Sequence, residues 1–109
     1  MLKHIVDHCP GASESRNRYL QDRIDRTLAE FAADIAEVHL EIRTLGAGED
    51  ERTEARLTVR FSTGAEAKVN VERPVLAGAL AAAFDAASVR CQVLRRGGVK
   101  AGSEERANA

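Results

Sequence analysis

Between Ala36 and Arg73 apolar residues recur at every second position, and this alternation constrains the chain more than any other feature. Val38, Leu40 and Ile42 alternate with His39, Glu41 and Arg43. Leu57, Val59 and Phe61 alternate with Arg56, Thr58 and Arg60, and Ala67, Val69 and Val71 with Lys68, Asn70 and Glu72. Three such runs predict three strands of an antiparallel meander with one apolar and one wet face. Gly46-Ala47-Gly48 and the charged run to Arg52 predict a hairpin loop, and Thr63-Gly64 a tighter turn. A sheet apolar on one side needs a covering layer.

The flanking segments can supply it. Ser13 is a candidate N-cap with Glu14 in the following turn. Leu20, Ile24, Leu28, Phe31 and Ile35, spaced by three and four, predict a helix from about Ser13 to Ile35. Pro74 suits a first helical turn. Leu76, Leu80, Phe84, Ala87, Cys91 and Leu94 predict a second helix from Pro74 or Val75 to about Arg96, ended by Gly97-Gly98. Leu2 to His8 reads as a short strand that must join an edge of the sheet. The expected fold is therefore α+β, ordered β-α-β-β-β-α, with a four-stranded sheet and two helices packed on one face.

A chain of 109 residues makes one domain, expected over residues 1–96, with a flexible tail over 97–109. At this size folding buries roughly 65% of the unfolded surface, enough for a core without staples. The formal net charge of −1 excludes a dominant basic field, so nucleic-acid binding would need a local patch. No leader-like or membrane-length apolar run is present, and with two cysteines, Cys9 and Cys91, a reducing cytoplasm is the expected setting. A bridge between these cysteines has no support in the sequence. Cys91 sits in the apolar stripe and reads as a small buried hydrophobe.

The order of elements, Ile5 in the opening strand, Ser13-Glu14, Tyr19-Leu20, Arg23-Ile24, Arg26 and Phe31 in the first helix, and an Ala-rich second helix after Glu72 together resemble the bacterial ribosome hibernation-promoting factors. This family is also known as the ribosome-associated inhibitor A or sigma-factor modulation family. The likeness covers residues 3 to about 96 and is to the short forms. It implies a stress-response translation regulator without catalysis or cofactor. Its partner would be the ribosomal RNA of the small subunit, and it would act by occupying the channel of messenger and transfer RNA, with no role for DNA or membrane. Where the family carries basic residues late in the second helix, this chain has Ala86, Val89, Gln92 and Val93.

Arg16, Arg23 and Arg26 are spaced by seven and three, on one face of the first helix. Together with Arg90, Arg95 and Arg96 of the second helix they form the candidate RNA-binding set. Guanidinium groups fork onto phosphates and stack on bases, and structured RNA is recognised largely by shape and phosphate contacts. The competing reading is a solvated face with ion pairs to Asp22, Asp25 and Glu30. An alternative function is a protein-interaction or oligomerisation module of the same fold, with Val89 and Val93, four apart, as an apolar strip; weak self-association is left open. The mixed charges of the sheet's outer face read as a wet surface. Asp7-His8-Cys9 invites a catalytic or metal reading, but neighbours on a strand diverge, and His4, His8, Cys9 and His39 lack zinc-ligand spacing. No Gly-rich phosphate loop and no carboxylate pair suggests an enzyme, and no metal site is expected.

Overall fold

Alternation resolves into strands where it predicts them. The structure, a computed structural model, describes residues 1–97. The elements are β1 (Leu2–His8), α1 (Glu14–Thr27), a 3₁₀ segment (Ala29–Asp34), β2 (Ile35–Leu45), a short 3₁₀ turn (Gly48–Asp50), β3 (Arg52–Phe61), β4 (Glu66–Arg73) and α2 (Leu76–Arg95). The fold is α+β. The expected tail lies, from Gly98 on, outside the described residues.

The sheet is ordered β1-β2-β3-β4. β2, β3 and β4 form the antiparallel meander, with Leu40 opposite Leu57 and Leu57 opposite Val69. β1 joins the β2 edge in parallel, Ile5 beside Leu40. Parallel neighbours need a crossover, and α1 supplies it. Every apolar member of the alternation from Val38 to Val69 points to one face and is buried. Leu20 and Ile24 of α1, Leu28 just after it, and Ala79, Leu80, Ala83, Phe84, Ala87 and Cys91 of α2 cover that face in one continuous core. α1 lies over β1, and α2 lies over β3 and β4.

The first predicted helix is too long, whereas the second matches to within a residue or two at its ends. α1 stops at Thr27, where Leu28 takes φ −105° and ψ 16°. From there the chain tightens into 3₁₀ geometry, with the Phe31 amide donating to the Leu28 carbonyl at 2.9 Å. Leu28 and Phe31, three apart, stay on one face in a three-residue turn, so the apolar stripe survives the change of helix type. The tighter winding turns the chain onto the sheet, and Ile35 becomes the first residue of β2. α2 begins at Leu76 with Val75 as its cap, leaving Pro74 just outside the helix. In the β2–β3 loop, Gly46 has φ +75°, and a Cβ there would lie 2.5 Å from the Asp50 carbonyl oxygen. Only glycine closes this loop without displacing backbone.

Candidate nucleic-acid interface

α1 and α2 lie side by side and point the same way. The Arg23 guanidinium stands 5.1 Å from the centre of the Phe84 ring, and that of Arg95 4.8 Å from the centre of the Phe31 ring. Two such contacts, one near the middle of α2 and one at its end, fix the pairing of the helices. They also bring both C-termini to one end of the layer. Arg26 and Arg95 occupy the last turns of their helices, where the dipole favours cations. Arg96 follows immediately. Arg26 and Arg95 thus stand at one end of the layer; Arg23 lies on the α1–α2 side roughly 16 Å back along α2, over Phe84, and Arg96 is turned about 100° from Arg95.

The remaining two members of the candidate set stand apart. Arg16 is spent inside the fold. Its Nε donates to Asp7 Oδ2 at 2.7 Å and its Nη2 to Asp7 Oδ1 at 2.8 Å; Nη2 also reaches the Cys9 carbonyl and Nη1 the Pro10 carbonyl, both at 3.0 Å. The side chain is only 18% exposed. Burial pushes the Asp7 carboxyl up, but hydrogen bonds from Arg16 and the Cys9 amide outweigh it and hold the carboxyl below its ordinary value. Arg16 is itself pushed up, chiefly by its hydrogen bond to Asp7. This bidentate pair ties the loop after β1 to the first turn of α1, where the Ser13 hydroxyl accepts from the Arg16 amide. Arg90 stands on the other flank of α2. At about 100° per residue it falls far from Phe84 and Arg95, which face α1.

Acidic neighbours reduce the patch without erasing it. Arg95 Nη2 pairs with Glu30 Oε2 at 3.1 Å, while Asp25 is drawn off to Lys3 at 2.8 Å. Arg23 donates to the Tyr19 hydroxyl at 3.2 Å. Arg23, Arg26 and Arg96 make no ion pair among the described residues. The Tyr19–Arg23–Phe84 arrangement was not foreseen from the sequence. Tyr19 and Arg23, four apart on α1, were its visible signal.

The wet face of the sheet is a lattice of opposite charges. Glu54, 5% exposed, lies between Arg43 Nε at 2.7 Å and Arg56 Nε at 3.4 Å. The Arg43 hydrogen bond, against the opposing effect of burial, lowers the Glu54 carboxyl below its usual value. Glu37 pairs with Arg60, and Glu72 with Arg52. A shallow depression on this face is lined by Glu37, His39, Glu41, Arg56 and Arg60 among others. Acids and bases alternate around it, so it offers no net charge to a ligand.

Asp7, His8 and Cys9 do not converge. Asp7 faces α1, whereas His8 Nε2 lies 3.7 Å from Glu41 on the wet face. Both cysteines are free and buried, and burial pushes the Cys91 thiol up to about 11. Among the described residues no three His, Cys, Asp or Glu side chains form a group able to hold a metal ion. No helix among them is long and apolar enough to cross a membrane. No family model matches the chain, and no curated protein matches it.

Proposed function

We propose that the protein is an RNA-binding regulator that acts by occupancy, with small-subunit ribosomal RNA as its target. The observation that carries this reading is that Arg23 and Arg95 line the α1–α2 seam, with Arg26 and Arg96 at the C-terminal ends of the same two-helix layer. Phosphates spaced along a folded RNA would meet several guanidinium groups there at once, and the Tyr19 ring, 47% exposed beside Arg23, could stack on an unpaired base. The small subunit as target is what the resemblance of the chain to hibernation factors implies. Arg16 and Arg90 fall outside the RNA-facing group: Arg16 holds the fold, and Arg90 faces away from the patch. In such a mechanism the bound protein excludes messenger and transfer RNA, and no bond is made or broken.

Co-sedimentation with purified small subunits at low salt tests the reading. Wild-type protein should travel with the subunits, and Arg23→Glu with Arg26→Glu should leave it near the top of the gradient. Wild-type protein that remains at the top rejects the proposal. A second reading, a protein-interaction module, is favoured by Val75 at the cap of α2 and Val89 on it, 61% and 59% exposed.

A further inference from the structure

Among the described residues β4 has β3 on one side and no strand on the other. Its outer backbone groups are a template for another strand. The flank of α2 above this edge is apolar. Contacts through Phe84 and Arg95 fix the opposite flank toward α1, so helical periodicity places Val75, Ala82, Ala86, Val89 and Val93 over the β4 side. Arg90 is the one charged residue of α2 on this side, half-buried, with an aliphatic stem that can lie along the apolar surface.

We propose that the β4 edge and this flank of α2 form a two-fold interface with a second copy of the chain, continuing the sheet through β4 paired antiparallel with β4. Charge selects the register. Pairing centred on Asn70 sets Lys68 opposite Glu72 of the second copy and Val69 opposite Val71. Pairing centred on Val69 would set Glu66 against Glu72, like against like. Centring on Val71 would leave Lys68 opposite Pro74.

Helix geometry meets the same two-fold axis independently. Asn70 lies about 10 Å back along β4 from Arg73, and about 10 Å along α2 from Leu76 reaches Ala82. An axis through Asn70 and Ala82 brings Val75, the cap of α2, of one copy opposite Val89 of the other, both largely exposed. Small residues, Gly78, Ala82 and Ala86, occupy the centre. α2 lies over β3 and β4 alike. Two such helices across one new strand pairing stand about two strand spacings apart, roughly 9.6 Å, within the 8–10 Å of packed helices.

The other edge is less suited. On β1 a two-fold at Ile5 would pair Lys3 with Asp7, but these side chains, 20% and 10% exposed, are held by Asp25 and Arg16, whereas Lys68 and Glu72, 63% and 45% exposed, have only partly exposed partners to exchange, Glu66 at 3.6 Å and Arg52 at 2.7 Å. The α1 flank above that edge carries Glu14, Arg18, Gln21 and Asp25 rather than apolar residues.

This interface is separable from the RNA reading, because Arg23 and Arg95 lie at the seam with α1 on the opposite flank. Sedimentation equilibrium of the full chain over a wide concentration range tests it. The expected result is a monomer–dimer equilibrium. Lys68→Glu or Glu72→Lys alone should weaken it at least about tenfold, and the two together should restore it. Val89→Glu should also abolish the dimer while leaving RNA binding intact, and Arg23→Glu should do the reverse. A monomer at every concentration overturns the proposal. So does a dimer indifferent to both reversals, or one that the double reversal fails to restore.

Discussion

Arg16 and Asp7 show how one side chain's role depends on what it touches. A guanidinium that forks onto a carboxylate and two carbonyls is worth about 1.5–3 kcal/mol to the fold. Arg16→Ala should lower unfolding free energy by about that amount in a denaturant titration, without lowering the RNA affinity of the folded protein. Asp7→Asn should act similarly, and with a pH signature. The Asp7 carboxyl is depressed in the folded state, so its stabilising contribution is fully present above the unfolded carboxylate's pKa, near 4, and is lost as pH falls through the lower folded value. The stability gap between wild type and Asp7→Asn should therefore be constant at neutral pH and shrink below about pH 4. A gap that stays unchanged down to pH 2 would show that the pair does not govern acid stability. Gly46→Ala gives a second residue-level test. It places a Cβ against the Asp50 carbonyl at a positive φ and should cost about 1–2 kcal/mol or more, read as a fall in the thermal midpoint.

At the scale of elements, alternation marked β2, β3 and β4 because one face of each is buried and the other wet. The same logic marked the inner stripes of both helices. Spacing alone could not mark the change at Leu28, since Leu28, Phe31 and Ile35 satisfy an α-helix, a 3₁₀ turn and a strand entry in succession. Nor could it give the direction of β1, whose partner lies beyond a helix. The candidate site was legible in part for the same reason. Periodicity shows which helix face a residue occupies but not what that face meets. Arg16 shares a face with Arg23 and Arg26, yet Asp7, nine residues back, claims it. Arg90 and Arg95, five apart, point to opposite flanks of α2, and which flank meets α1 is set only by packing. Phe84, 2% exposed at the junction of both helices and the sheet, is the residue on which that packing turns. Phe84→Ala should destabilise by about 3–5 kcal/mol and loosen the seat of Arg23; a loss under about 1 kcal/mol would mean the helix layer is held elsewhere.

As a whole molecule, the chain has a nearly neutral charge but an uneven surface. Its sheet face cancels charge pair by pair. Arg23 and Arg95 line the α1–α2 seam, with Arg26 and Arg96 at the ends of the same layer, and the far flank of α2 is apolar above an open strand edge. The central claim is that these arginines grip RNA phosphates. The most direct measurement is the affinity for purified small subunits as a function of salt. Wild-type log K should fall linearly with log salt, and replacing Arg23 and Arg26 with alanine should flatten that slope by roughly 0.7–0.9 for each phosphate that is no longer neutralised. Unchanged slopes in the variant, or a wild-type affinity indifferent to salt, would contradict the claim.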